Sequence, residues 1–129
     1  MSVRWQGREL FEGGPADRPP ILVDGESAAA PSPVELLLVA AASCTATDVV
    51  SILTKERVAL ESLEVRVSGT RRETHPRRFT ALRFEFIVVG AGATEVKVRR
   101  AVDLSLGKYC SVVASLAPDI AVSYDLVLR

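Results

Sequence analysis

Two cysteines, Cys44 and Cys110, are the only thiols of the chain, and they stand in unlike settings. Cys44 lies in a run of small residues, Ala40-Ala41-Ala42-Ser43-Cys44-Thr45-Ala46, and Cys110 lies in Lys108-Tyr109-Cys110-Ser111-Val112. If the fold brings them together, they form a dithiol that can cycle with a disulfide, which is redox chemistry. Each cysteine alone has a plainer reading as a small buried hydrophobe. Helical spacing sets the neighbours of Cys44: Ala40, Ala41, Thr47 and Asp48 share its face. The alanines leave room for a close-packed helix or a narrow pocket. An ionised Asp48 would disfavour a thiolate beside it, so activation has to come from elsewhere in the fold. Cys110 reads as the easier thiol to ionise, because the free N–H groups of a following helix and the charge of Lys108 both favour an anion. With two cysteines and one histidine, His75, a four-ligand zinc site is poorly supplied.

The elements that must position these thiols can be read from pattern and punctuation. Ser32 can cap a helix, Pro33 suits its first position, and Glu35 stands three residues after Ser32, which makes a capping box. The spacing predicts a helix from there to about Glu56, roughly 36 Å long at 1.5 Å per residue. Leu36, Leu37, Leu38, Val39, Val49, Val50, Ile52 and Leu53 make it apolar nearly all round, so it needs burial on most sides. A chain of 129 residues has little material to surround it, and burial between a sheet and a second subunit is the simpler solution. Glu35 precedes Cys44 by two and a half turns. That puts it about 180° around the helix and roughly 13 Å along it, out of reach of the thiol. Glu35 therefore reads as a cap.

Before this helix, Val3 to Phe11 and Ile21 to Val23 read as short strands parted by Gly13-Gly14-Pro15, and Asp24 to Pro31 reads as a loop. After it, Leu63, Val65 and Val67 alternate with polar residues, as do Leu82, Phe84, Phe86 and Val88, giving two half-buried strands. The loop between them is rich in arginine, from Arg71 to Arg78. It is either an anion-binding surface or a solvated connection, and His75 before Pro76 reads as one of its turn residues. Gly90-Ala91-Gly92 breaks the second strand. Thr94 caps a helix through Val98, Ala101, Val102 and Ser105 to a stop at Gly107. Ser111 to Leu116 reads as a short helix ended by Pro118, and Ile120 to Leu128 as a closing strand. The order gives an α+β fold with antiparallel character, as a single domain over residues 1–129.

Composition narrows the function classes. Hydrophobic residues make up 48% and charged residues 25%, so the chain can bury a core. Sixteen basic residues balance sixteen acidic ones, and no chain-wide pull toward nucleic acid or an anionic membrane exists. The uninterrupted apolar run, Leu36 to Ala42, falls short of the roughly 18 residues of a membrane span. Met1 to Arg8 lacks the apolar stretch of a secretory signal. These features point to a cytoplasmic protein, where a permanent disulfide is rare.

The two cysteine segments together resemble the OsmC/Ohr family, the osmotically induced and organic-hydroperoxide-resistance proteins. The resemblance is carried by Ser32-Pro33-Val34-Glu35-Leu36-Leu37-Leu38 with Cys44-Thr45-Ala46, by Pro76 with Phe79, and by Arg100-Ala101-Val102-Asp103-Leu104-Ser105 with Lys108-Tyr109-Cys110-Ser111-Val112. It implies an OsmC-like fold: an intertwined homodimer with long central helices packed on antiparallel sheets. It implies a peroxidase that reduces organic hydroperoxides with no metal and no other cofactor. Cys44 would attack the peroxide, Cys110 would resolve the sulfenic acid to a disulfide, and an external dithiol would restore both. Two features depart from the family pattern. Well-characterised members carry a glutamate directly after the proline that opens the long helix, where this chain has Val34. They also use an N-terminal arginine beside the thiolate, and here Arg8 and Arg18 are candidates by region only. Those departures keep a second expectation open: a catalytically weak OsmC-like binding or sensing module with a ligand pocket at the dimer interface.

Overall fold

The computed structural model describes residues 1–129 as two compact units, residues 1–37 and 38–129.

The N-terminal unit holds three antiparallel strands in sequence order, β1 (Ser2–Gly7), β2 (Leu10–Gly14) and β3 (Ile21–Asp24). The single strand expected from Val3 to Phe11 is in fact two, because the chain reverses at Gly7 and Arg8. Both have positive φ, 103° and 51°, a conformation that glycine adopts without steric cost. Trp5 Nε1 donates to the Arg8 carbonyl at 2.7 Å and closes the turn. The loop after β3 is organised by Asp24, whose carboxylate accepts from the backbone N–H groups of Glu26, Ala28 and Ala29 at 2.9, 3.1 and 2.8 Å. Its occlusion comes from this wrapped loop. The N–H bonds, led by that of Ala29, hold its carboxyl below the usual range.

The long helix α1 runs Pro33–Lys55, as the capping box and the apolar run predict. Ser32 N donates to Glu35 Oε2 at 2.7 Å, and Glu35 N donates back to Ser32 Oγ at 3.2 Å. The helix ends in a Schellman motif: Val58 N donates to Leu53 O and Arg57 N to Thr54 O, both at 3.0 Å. Arg57 takes the left-handed position, φ 61°, that glycine more often fills, so the sequence carries no glycine signal there. One face of the helix, Ala41, Thr45, Val49 and Leu53, is fully buried, while Val39 and Val50 remain exposed. By length and composition α1 is apolar enough to cross a membrane, which corrects the estimate from the uninterrupted run. Ser43, Thr45 and Thr47 end that run, and these hydroxyl residues cost little in an apolar helix, where they bond the preceding turn.

In the second unit, β4 (Ala59–Arg71), β5 (Phe79–Ala91) and β6 (Ala121–Leu128) form a sheet in sequence order. Leu82, Phe84, Phe86 and Val88 of β5 are buried with Val49 and Leu53 of α1. On the outer face Arg66 pairs with Glu64 and Glu85, and Arg83 with Asp125. β5 continues through Gly90, paired with Leu60, where a break was expected; the glycine is there because a Cβ would lie 2.5 Å from the Ala59 carbonyl oxygen of β4. The arginine-rich loop is tied to itself: Arg71 and Arg72 donate to the carbonyls of Arg77 and Pro76, and Arg78 pairs with Asp119. That arrangement matches the solvated connection. The β4–β5 pairing is antiparallel, but β5 and β6 are parallel, an exception to the antiparallel character of the other pairings. A parallel pair needs a long crossover. Here it is α2 (Glu95–Leu104), one π-helical turn (Ser105–Tyr109) and α3 (Ser111–Ala114). Tyr124 of β6 donates to Asp103 Oδ1 at 2.6 Å and lies under the Arg99 guanidinium, which pins α2 against the sheet.

Candidate functional site

The thiols meet because of the π-turn. The expected stop at Gly107 does not occur; the helix widens instead, and Cys110 N donates to Ser105 O at 2.8 Å, five residues back. This extra residue lets one turn present two groups to α1. At its start, Ser105 Oγ donates to Asp48 Oδ2 at 2.7 Å. At its end stands Cys110. The sulfurs of Cys44 and Cys110 and a carboxylate oxygen of Asp48 all lie within 4.8 Å of one another. Cys44 and Asp48 share a helical face, as their four-residue spacing requires, and both are half-buried, whereas Cys110 is only 3% exposed.

Burial decides the chemistry of Cys110. It pushes the thiol pKa up, and the neighbouring Cys44 sulfur adds to the rise. The helix-start effect expected from sequence is present, since Val113 N donates to Cys110 Sγ at 3.4 Å, and Thr45 Oγ1 lies 3.5 Å from the same sulfur. Both lower the pKa, but burial outweighs them. The expected help from Lys108 is absent, because its ammonium lies over the Tyr109 ring at 5.3 Å. Thr45 Oγ1 also donates to Ala41 O at 2.8 Å. One hydroxyl proton serves one acceptor at a time, so the Ala41 carbonyl and the Cys110 sulfur share the Thr45 hydroxyl.

Ser105 and Thr45 are the site residues that sequence reasoning missed as such. Their signal was legible: each is the polar member of an otherwise apolar buried stripe, Val98-Ala101-Val102-Ser105 running from α2 into the π-turn and Ala41-Thr45-Val49-Leu53 on α1. A hydroxyl in such a place needs a partner: Ser105 finds Asp48, and Thr45 bonds the Ala41 carbonyl with the Cys110 sulfur as its second neighbour.

The residues proposed for activation by regional likeness have other occupations. Arg8 pairs with Glu26 at 2.9 Å, and Arg18 lies beside Asp17 at 3.5 Å. Glu35 accepts from Ser27 Oγ at 2.6 Å as well as from Ser32 N, and these bonds hold its carboxyl below the ordinary range. Next to the cluster, a cleft of about 480 Å³ opens between α1 and the second helix. Asp48 belongs to both cleft and cluster; Ser51, Ile52, Lys55, Arg100 and Tyr109 supply much of the remaining wall. The wall carries both signs of charge, with Lys55 and Arg100 against Asp48 and Glu56, and Ile52 and Leu104 as its aliphatic part.

Known proteins share this arrangement of elements. The crystal structure of a hypothetical protein from Aquifex aeolicus VF5 superposes with a TM-score of 0.85 at 28% identity, covering 99% of this chain and 95% of that one. The organic hydroperoxide resistance protein OhrB of Bacillus subtilis has the same fold, with a TM-score of 0.60 at 14% identity over 99% of this chain and 96% of that one. Protein YhfA of Escherichia coli (strain K12) is 46% identical over 128 residues, 97% of this chain and 96% of that protein. The family model described as OsmC-like protein matches residues 24–125, from the end of β3 into β6. That match takes in both cysteines, Asp48 and the π-turn between them, and the chain belongs to the OsmC-like protein family.

Proposed function

We propose that the protein is a thiol-dependent peroxidase that reduces organic hydroperoxides through Cys44 and Cys110. The observation that carries this reading is the close approach of the two sulfurs, one half-exposed and one buried. The half-exposed Cys44 is the residue a peroxide can reach. Its thiolate attacks one peroxide oxygen: an S–O bond forms, the O–O bond breaks, and the leaving alkoxide takes a proton to become an alcohol. Cys44 is then a sulfenic acid. Cys110 attacks that sulfur, the S–S bond forms, and water leaves. An external dithiol reduces the disulfide and is itself oxidised. A buried, poorly ionised Cys110 suits the second role, because it is shielded from the peroxide and reacts with a neighbour already beside it. Closing the bond needs sulfurs about 2.05 Å apart, a movement that the end of the π-turn can supply.

The same reading makes the protein a homodimer in the cytoplasm, with no nucleic acid and no membrane as partner. The exposed Val39 and the shallow apolar groove of Val39, Ala42, Ser43 and Ala46 against Leu63, Val65 and Val67 support a second copy as the cover of α1. A second reading, a binding or sensing module, is favoured by the cleft at Asp48 and by Val34 at the family glutamate position. One experiment separates them: intact mass after a brief pulse of stoichiometric cumene hydroperoxide without reductant. The peroxidase loses two hydrogens as wild type, is unchanged as Cys44→Ser, and gains oxygen as Cys110→Ser. Two unreacted thiols in the folded wild type would defeat it and leave the binding module.

A further inference from the structure

We propose that the reduced dithiol and Asp48 form a three-ligand site for zinc, which holds the thiols out of the redox cycle until oxidation releases the metal. Cys44 Sγ, Cys110 Sγ and the Asp48 carboxylate already lie within 4.8 Å of one another. Ligands at about 2.3 Å from a tetrahedral zinc stand about 3.8 Å apart, so the cluster closes around the ion with a small contraction. Two thiolates and one carboxylate are a soft-to-borderline donor set that suits Zn²⁺ over Mg²⁺ or Ca²⁺.

Three further observations support the site. Asp48 is half-buried and takes part in none of the chain's ion pairs, so a carboxylate beside two thiols has no side-chain cation. The ligands have their own supports: Ser105 Oγ holds Asp48, while Thr45 Oγ1 and Val113 N approach Cys110 Sγ. Outer hydrogen bonds of this kind orient metal ligands and commonly govern affinity by 10–100-fold, on the order of a ligand's own adjustment. Finally, Asp48 also lines the neighbouring cleft, so one of the three ligands faces open space. Binding displaces one proton from each thiol and changes no oxidation state. A hydroperoxide that converts the two thiolates to a disulfide removes two ligands and frees the ion. The metal site itself does not depend on peroxidase activity, since a dithiol that never meets a peroxide would still bind metal; the release of the ion by oxidation rests on the proposed redox cycle.

The test uses the full chain, reduced and stripped of metal, titrated with Zn²⁺ against a chromophoric chelator, with Co²⁺ substitution to read thiolate coordination from its charge-transfer absorption. The expected result is one zinc per chain, with two protons released. Binding is lost in Cys44→Ser, in Cys110→Ser and in the disulfide form, and is at least about tenfold weaker in Asp48→Asn. Ser105→Ala, which leaves all three ligands in place, should weaken it by a similar factor. In the wild type, without any substitution, zinc should slow alkylation of both thiols. No binding by the reduced wild type overturns the site, as does binding that persists in folded cysteine variants. Binding lost with the cysteines but unchanged in Asp48→Asn overturns the three-ligand assignment.

Discussion

The bond from Ser105 to Asp48 offers the sharpest quantitative test of how the site is built. Ser105 is fully buried, and its Oγ lies 2.7 Å from the carboxylate. Hydrogen bonds to charged groups contribute about 1.5–3 kcal/mol. Asp48 borders the cleft, so water can replace the lost donor in part, which places Ser105→Ala at the low end, about 1.5 kcal/mol. The pairwise part is isolated by a double-mutant cycle of Ser105→Ala and Asp48→Ala, each protein unfolded in urea under reducing conditions. A coupling of about 1–1.5 kcal/mol is expected. The same substitution frees Asp48 from the π-turn, so disulfide closure in hydroperoxide should slow as well. A coupling below about 0.5 kcal/mol, the usual limit of additivity, would refute the claim that this bond ties the π-turn to α1.

Other outcomes follow from the packing and the charges. Leu53→Ala removes a fully buried side chain from the core and should cost about 2–5 kcal/mol, read from the urea midpoint at unchanged slope. Glu35 and Asp24 both have carboxyls held below their ordinary range, so each favours the folded state above its unfolded pKa, and that contribution is lost as pH falls through the folded value. Acid titration should therefore loosen the start of α1 and the loop after β3 below about pH 4, and Glu35→Gln should flatten its share of the profile. Val39→Lys or Val50→Lys places a charge on the exposed apolar side of α1; each should leave the protomer folded by circular dichroism, and under the proposed homodimer each should sediment as a monomer where the wild type sediments as a dimer.

The capping box and the apolar run are local patterns, and they delivered α1 close to its observed limits, while the alternation located the centres of β4 and β5 but not their ends, since residues 63–67 and 82–88 lie inside strands of 59–71 and 79–91. The pairing of Cys44 with Asp48 on one helical face was equally legible, because four-residue spacing fixes it. The turn at Gly7 and Arg8 was less so, since alternation continues across it and one glycine is weak punctuation. The π-turn was not legible at all. A glycine at position 107 reads as a stop, and only the packing of Ser105 against Asp48 and of Cys110 against Cys44 rewards the wider turn. The ionisation of Cys110 went the other way from expectation for a related reason. Helix starts and neighbouring lysines are visible along the chain, but burial is not, and burial outweighs them here. The sequence thus determined which residues could carry redox chemistry and which helix bears the first of them. The approach of the second thiol to Cys44 and Asp48, and its depth, were decided by tertiary packing, because distances between remote segments depend on how surfaces fit.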